Sequence, residues 1–277
     1  MASKKEVAVV EERSTALATF DVGGMVGDGS EGTTQDQVSI PFINLLQPLS
    51  PQVSGDNPVD GAKSGDFYIP AIDQLIPGKT GFLFQPCHRE NVYVEWVPKD
   101  AGGGFVAKHE PNSDVVLEAI ANNNGSKYGD LKVGSNELVQ TSYIYGAILT
   151  DEGDEVLGYA VLPFWSTKLK TLRPAWTQFS ILKVEYNGKK VMPPLYAMRW
   201  RVTSKSDKDK KGRSFANYAI DAKALPGMFP PKTEVEMELL TAGQTFYQQL
   251  KSGAATADMN QHVSEAPANS ADSDVPF

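Results

Sequence analysis

The sequence predicts a mainly β protein with a few helices. Two long apolar runs separated by the turn signal Asp151–Asp154 predict a hairpin. A helical pattern then lies between these earlier strands and a final pair of strands, an order that suits an elaborated barrel of the OB type. A β-sandwich would show similar strand spacing and is the alternative arrangement.

The first half of the globular region is predicted to contain short strands and one helix. The triplet His88–Glu90 has the length of a hairpin connection between two strands. Ser113 is a suitable N-cap for the helix that follows it. In chain order, the expected elements are strands at Thr80–Cys87 and Asn91–Val97, an extended piece at Phe105–Lys108 and a helix at Asp114–Ala121.

The second half is predicted to contain longer strands and further helices. Apolar residues at three- and four-residue steps after Thr167 predict a helix, in which Pro174 marks the start of a second, shorter one. Residues 204–213 form a basic loop that is too hydrophilic to pack. The remaining expected elements are strands at Glu137–Thr150, Glu155–Phe164, Leu195–Thr203 and Ser214–Asp221 and a helix at Thr233–Lys251.

Composition divides the chain into three regions. Residues 1–37 combine acidic residues with a glycine run and few large apolar side chains, which predicts a flexible N-terminal arm. Residues 38–251 form the single OB-like domain. Residues 252–277 contain no Lys or Arg and are predicted to be a disordered acidic tail that ends in Asp-Val-Pro-Phe.

Cysteine usage and hydropathy indicate the compartment. The lone Cys87 excludes an internal disulfide framework and favours a reducing environment. No apolar run approaches the length of about 20 residues that a membrane span needs. We therefore expect a cytoplasmic protein that does not contact the membrane.

Positive charge is concentrated in one stretch, Phe164–Tyr218. This stretch holds thirteen Lys and Arg against three acidic residues, a local net charge of +10, whereas the whole chain carries −8. Three of the four tryptophans lie in the same stretch. Lys and Arg neutralise phosphates, and aromatic faces stack on exposed bases, so the pattern is typical of a surface for unpaired nucleic acid. The alternative is that the rings form core and the lysines form a solvated surface.

The predicted site combines phosphate-binding cations with rings that stack on bases. Trp165, Trp176 and Trp200 also suit core positions, whereas Tyr186 lies at a turn and is expected to be exposed. The residues expected to bind nucleic acid are Trp165, Lys168, Lys170, Arg173, Trp176, Tyr186, Lys189, Lys190, Arg199, Trp200, Arg201, Lys205, Lys208, Lys210, Lys211, Arg213 and Tyr218.

Catalytic motifs are not found. The only histidines are His88, His109 and His262, and no Cys-x-x-Cys or His-x-x-x-His spacing supports a metal site. No nucleophile motif of the Gly-x-Ser-x-Gly kind occurs. We therefore expect no catalytic residue, metal or cofactor, and a protein that is not an enzyme.

The C-terminal residues carry a resemblance. Residues 272–277, Asp-Ser-Asp-Val-Pro-Phe, resemble the acidic terminus of bacterial single-stranded DNA-binding proteins and their phage counterparts, with fewer acidic residues and with valine in place of isoleucine or leucine. Residues 61–67, 162–170 and 193–196 are also similar to a group of phage proteins. The resemblance implies that partners bind Asp272, Asp274, Val275, Pro276 and Phe277.

The resemblance also implies a function. A bacteriophage single-stranded DNA-binding protein would bind without sequence specificity in the host cytoplasm, protect replication, recombination and repair intermediates, and recruit replication or recombination proteins through its tail. One alternative is a metal-dependent nuclease or recombination enzyme acting on single strands. Another is an acidic phage protein that interacts with host proteins and does not bind DNA. The sequence is compatible with a homo-oligomer.

Overall fold

The computed structural model describes residues 39–55, 58–127, 129–209, 212–221, 228–257 and 259. These ranges contain twelve strands and four α-helices, so the prediction of a mainly β protein with a few helices is confirmed. The predicted N-terminal arm, Lys210, Lys211 and residues 272–277 lie outside the described residues. The strands are β1 (Asn44–Leu45), β2 (Phe67–Ile69), β3 (Gln74–Ile76), β4 (Phe82–Trp96), β5 (Phe105–His109), β6 (Lys132–Val133), β7 (Asn136–Leu149), β8 (Val156–Trp165), β9 (Val184–Tyr186), β10 (Lys189–Val191), β11 (Trp200–Lys208) and β12 (Ser214–Asp221). The helices are α1 (Pro51–Ser54), α2 (Asp114–Asn122), α3 (Thr167–Ile181) and α4 (Glu234–Ser252).

Strands β4 and β7 form the centre of a seven-stranded antiparallel sheet. They pair with each other along most of their length, from Leu83 opposite Leu149 to Trp96 opposite Glu137. Each has two shorter partners on its outer edge: β11 and β5 on β4, and β8 and β6 on β7. Strand β12 extends the sheet beyond β11. The predicted hairpin of β7 and β8 is confirmed.

The hairpin expected at His88–Glu90 is wrong, because β4 is one continuous strand of 15 residues. His88, Arg89 and Glu90 stay in the ladder with β7, and the only irregularity is a register shift between Pro86 and His88. The side chains of Arg89 and Glu90 find partners within the sheet: Arg89 donates to Ser142 at 3.0 and 3.1 Å, and Glu90 accepts from Tyr145 at 2.8 Å. A polar triplet without a glycine therefore continues the strand.

The strands of the described residues do not close into a barrel. The seven-stranded sheet keeps an outer strand, β12, while β1–β3 and β9–β10 form two separate small sheets. The outer edge of β12 is met by a side chain instead of a strand. Gln47 Oε1 accepts from Ala216 N, and Gln47 Nε2 donates to Ala216 O, both at 2.9 Å. The barrel prediction is corrected to an open sheet.

Alternating residues of the central sheet build a core on each face. Ile144 and Leu162 pack on one face with β1, β2 and α3. Tyr145 and Val161 pack on the other face with Phe246 of α4 and with the segment at Ile40–Phe42. This alternation is what antiparallel strands with two covered faces require. It places α3 and α4 on opposite sides of the sheet.

Helix α3 continues through Pro174 and is not divided into two helices. Leu172 and Ala175 bury its inner face in the core. A proline cannot donate the bond to the carbonyl four residues earlier, and the packing of the inner face offsets this loss. The strand expected at Leu195–Thr203 begins later, at Trp200, because Leu195–Ala197 forms a 3₁₀ turn after two prolines.

The loop expected at residues 204–213 is shorter than predicted. Strand β11 runs to Lys208, which lies opposite Ser214 in the hairpin with β12. The side chains on this part of the hairpin are polar, and the backbone ladder holds them in place. The described turn is therefore limited to residues near Asp209 and Gly212, where Gly212 N donates to Asp209 O at 2.9 Å.

Helix α4 is confirmed, and its boundaries follow ordinary capping chemistry. Thr233 Oγ1 accepts from Glu236 N at 3.1 Å, and Gly253 ends the helix in the left-handed region with φ 75°.

The packed chain continues beyond the boundary that the sequence predicts at residue 251. Ile40 N donates to Thr256 O at 2.8 Å, and Ala257 packs against the core that contains Phe246 of α4. Residues 254–257 therefore belong to the folded domain.

Candidate nucleic-acid interface

An open groove lies between α3 and the β11–β12 hairpin; we call it the hairpin groove. Its volume is about 570 Å³. From α3, Thr167, Lys170, Thr171 and Pro174 line it, a spacing that puts all four on one face of the helix. Helix α3 contacts β12, and the groove forms between the helix and the hairpin.

Three lysines line the hairpin groove: Lys170 from α3, and Lys205 and Lys208 from β11. All three are exposed. Within the described ranges, Lys170 and Lys208 form no ion pair, whereas Lys205 Nζ lies 3.5 Å from Asp207 Oδ2. Among the described lining residues Asp207 is the single carboxylate, so these residues together carry a net positive charge.

Asn217 fixes the carboxylate of Asp207. The Asn217 side chain is buried, donates through Nδ2 to Asp207 Oδ2 at 2.8 Å and accepts at Oδ1 from Tyr218 N at 2.9 Å. Both contacts hold the amide in one orientation. The pattern of cations and rings in the sequence does not point to Asp207 or Asn217. The alternation of side chains along the two hairpin strands is the signal that could have identified both residues.

Phe215 is a groove aromatic outside the set of rings that the sequence predicts to stack on bases. It lines the groove, is partly buried and lies directly opposite Asp207 in the hairpin register. Phe215 and Asn217 lie on the same face of β12 because they are two residues apart. A ring in this position can stack on a base that enters the groove.

Three of the rings proposed for base stacking are core residues, which corrects the prediction. Trp200 and Tyr218 are 0% exposed, and Trp165 is 9% exposed. Trp200 and Tyr218 lie on the inner face of the hairpin with Phe164 and Phe67. Tyr218 is part of the groove lining, although its side chain is buried. None of these rings presents a face that a base could reach.

Lys168 is also buried, at 6% exposed, so it does not present its ammonium to phosphate. Its Nζ lies 3.7 Å from the ring centroid of Trp165 and 5.7 Å from that of Tyr218. A cation over aromatic faces is stabilised by the ring quadrupole. Lys168 therefore belongs to the packing of α3 against the sheet and not to the exposed surface.

Trp176 is half-buried on α3. The guanidinium carbon of Arg89 lies 4.3 Å from its ring centroid and covers one face. Burial lowers the pKa of Arg89 from its ordinary value. Arg173, on the same helix, is exposed but is not part of the groove lining.

Arg199 directly precedes β11 and Arg201 is its second residue, so both lie next to the acidic turn between β7 and β8. Arg201 Nη1 contacts Asp151 Oδ1 at 2.9 Å. Arg199 Nη1 lies so near Gly153 that a Cβ there would be 3.2 Å from it. Four strand residues span roughly 13 Å, so Arg201 is remote from Lys205. Arg201 therefore neutralises an acidic residue of the turn, and Arg199 lies beside the same turn.

The remaining predicted cations fall into two places. Arg213 Nε pairs with Asp209 Oδ2 at 2.6 Å across the hairpin turn. Lys189 and Lys190 are exposed on β10, and Tyr186 of β9 is 44% exposed, with its ring 5.2 Å from Phe229. This small sheet is a second basic surface that is separate from the groove lining. The structure thus brings together Lys170, Lys205, Lys208 and Tyr218 of the predicted set.

The described residues contain no group of three or more His, Cys, Asp or Glu that could hold a metal ion. His109 Nε2 lies 2.8 Å from Glu95 Oε2, and Asn136 donates to the other Glu95 oxygen at 2.5 Å. Cys87 is buried, and burial raises its pKa to about 12. None of the helices in the described ranges has the length and apolar character to cross a membrane.

Comparison with known proteins gives one family. Neither the curated proteins nor the solved structures include a match to the chain. The model of the Pam3 phage gp34-like protein family matches residues 10–256 of the 277, which is well over half of the chain and includes both α3 and the hairpin. The chain therefore belongs to the Pam3 phage gp34-like protein family and is a phage protein.

Proposed function

We propose that the protein binds single-stranded DNA in the hairpin groove, chiefly through phosphates and so without reading a defined sequence. The observation that carries the proposal is the convergence of Lys170, Lys205 and Lys208 with the ring of Phe215 in one open groove. The proposed role is to protect replication and recombination intermediates in the host cytoplasm, without catalysis.

The mechanism separates two kinds of contact. The lysine ammonium groups neutralise phosphates and release counterions, which supplies affinity that falls as salt rises. Phe215 stacks on a base, a contact worth roughly 1–3 kcal/mol. A volume of about 570 Å³ is in the range of pockets that hold one small ligand. A duplex keeps its base faces stacked inside, so this ring favours unpaired strands.

Binding to a labelled oligothymidylate, followed by fluorescence anisotropy, tests the proposal. Replacing Lys170 and Lys208 together by methionine removes two phosphate contacts. At about 1 kcal/mol each, the loss is roughly tenfold or more in affinity. The slope of log K against log salt should fall by about 1.4, because each contact with a single strand contributes roughly 0.7. Duplex of the same length should bind more weakly to the unaltered protein.

The matched control replaces Lys189 and Lys190 by methionine, since these exposed lysines lie on the small β9–β10 sheet. This variant loses the same charge and should keep at least half of the affinity. Equal losses in the two variants would show that overall charge, and not the groove, determines binding. Incubation with magnesium should leave the oligonucleotide intact, and strand cleavage would support the nuclease alternative.

We also propose that residues 272–277 recruit replication or recombination proteins, which the resemblance of this segment supports. Because residues 254–257 and Met259 pack in the core, a shortened protein should end at Gln261 and not at Gly253. It should bind oligothymidylate at least as tightly as the full chain and should retain no host replication protein on an affinity column. Weaker DNA binding, or unchanged capture of partners, would contradict the role of the tail.

A further inference from the structure

Asp207 places a carboxylate among the lysines of the hairpin groove, although negative charge opposes phosphate binding. Its Oδ2 is engaged by Asn217 Nδ2 at 2.8 Å and lies 3.5 Å from Lys205 Nζ. In the part of the chain that the structure describes, Oδ1 accepts no hydrogen bond. The buried Asn217 amide thus fixes one oxygen and leaves the other for a ligand in the groove.

Phe215 determines which part of a ligand meets this oxygen. It lies opposite Asp207 in the β11–β12 register, and opposite residues of an antiparallel pair have Cβ atoms about 4.5–5.5 Å apart. Lys205 lies two residues before Asp207, on the same face of β11. A base stacked on the Phe215 ring therefore has its edge beside a lysine ammonium and a carboxylate oxygen that are adjacent to each other.

We propose that the hairpin groove contains a base subsite that prefers guanine. Asp207 Oδ1 accepts from the N1–H and N2–H groups of the base, and Lys205 Nζ donates to its O6. This inference rests on the proposed function and names the base that the same groove favours. The phosphate contacts still bind any single strand, and the preference adds to them.

The chemistry of the base edges explains the choice. An ionised carboxylate only accepts hydrogen bonds, and a lysine only donates them. Guanine presents two adjacent N–H donors beside a carbonyl acceptor, which matches the pair. Thymine presents one donor between two carbonyls, and the second carbonyl would repel the carboxylate. Adenine and cytosine each present one amino donor beside a ring-nitrogen acceptor.

Competition with the unaltered protein tests the preference first. A labelled oligothymidylate of about eight nucleotides is displaced by unlabelled strands whose central position is thymine, adenine, guanine or hypoxanthine. Hypoxanthine is guanine without the N2 amino group. The guanine strand should compete at a roughly fivefold lower concentration than the thymine strand, and the hypoxanthine strand should lose about half or more of this advantage.

The variant Asp207→Asn tests the residue. Its amide oxygen still accepts from Asn217, so the hairpin keeps its contacts, but the carboxylate is gone. The variant should bind the all-thymine strand at least as tightly as the unaltered protein and should show no advantage for guanine. Asp100→Asn, an exposed carboxylate outside the groove lining, is the matched control and should keep the preference.

The outcomes separate the inference from the proposed function. If all four strands compete equally, the guanine subsite is wrong and single-strand binding stands. If Asp207→Asn keeps the preference, Asp207 is not its source and the proposal is overturned. If the labelled oligothymidylate does not bind at all, the proposed function fails together with the inference.

Discussion

Lys168 and Lys170 lie two residues apart on α3 and meet opposite environments. Lys168 is 6% exposed with its ammonium over the rings of Trp165 and Tyr218, whereas Lys170 is exposed and lines the hairpin groove. On a helix, two residues apart means nearly opposite faces. One lysine therefore stabilises the packing of α3, and the other is available to a ligand.

Alanine at each position should separate these roles. Lys168→Ala removes a buried cation–ring contact and leaves a cavity, so the free energy of unfolding should fall by about 2–3 kcal/mol. Lys170→Ala should change it by less than about 0.5 kcal/mol and should instead weaken binding of oligothymidylate. Urea denaturation and anisotropy measure the two quantities. Equal changes of stability in both variants would contradict the assignment.

Cys87 should be inert while the protein is folded. Burial raises the pKa of its thiol to about 12, from an ordinary value near 9. A disulfide reagent should therefore modify Cys87 only when urea unfolds the protein. This should hold at pH 9 as well as at pH 7. Because the native state keeps a proton that the unfolded state loses, the stability that this thiol contributes is present below pH 9 and is lost as the pH rises toward 12. Rapid modification of the native protein at pH 9 would contradict the burial.

Strand β12 is an outer strand whose edge is closed by one side chain. Gln47 offers Ala216 a donor and an acceptor, as a neighbouring strand would. Ala216 is 5% exposed, so water cannot easily replace these contacts. An unpaired edge invites pairing with another chain, and Gln47 prevents this next to the hairpin groove.

Gln47→Ala should expose this dependence. It leaves a buried N–H and a buried carbonyl without partners, each costing about 1–3 kcal/mol. The free energy of unfolding should therefore fall by roughly 2–6 kcal/mol, and the Ala216 amide should exchange faster by hydrogen-exchange mass spectrometry. Gln74→Ala, at an exposed position of β3, is the control and should change neither quantity. Unchanged exchange at Ala216 would show that β12 needs no partner.

At the scale of elements, the sequence predicts local patterns better than partners. Helix α4 and the β7–β8 hairpin follow from capping residues and turn residues that act within a few positions. The continuity of β4 does not follow from such local signals. Its Arg89 and Glu90 side chains form hydrogen bonds with Ser142 and Tyr145, which lie more than fifty positions later. The open sheet depends in the same way on Gln47 meeting Ala216 from a distant segment.

Across the whole molecule, the charge pattern indicates the right region but not the right residues. Residues of the +10 stretch form most of the hairpin groove, yet two of its arginines pair with nearby acidic residues, Arg201 with Asp151 and Arg213 with Asp209. Trp200 and Tyr218 belong to the core because they pack with Phe164 and Phe67 beneath the hairpin. The sequence shows this only once the inner face is known. Phe215 lines the groove, and the sequence alone does not distinguish it from the rings of the core.

Lysine acetylation in the presence of oligothymidylate, followed by mass spectrometry, tests most directly whether the hairpin groove is where DNA binds. Bound DNA should protect Lys170, Lys205 and Lys208 and leave Lys189 and Lys190 as reactive as in the free protein. Lys168 should react slowly with or without DNA, because it is buried. Protection confined to Lys189 and Lys190, or no protection at all, would contradict the account.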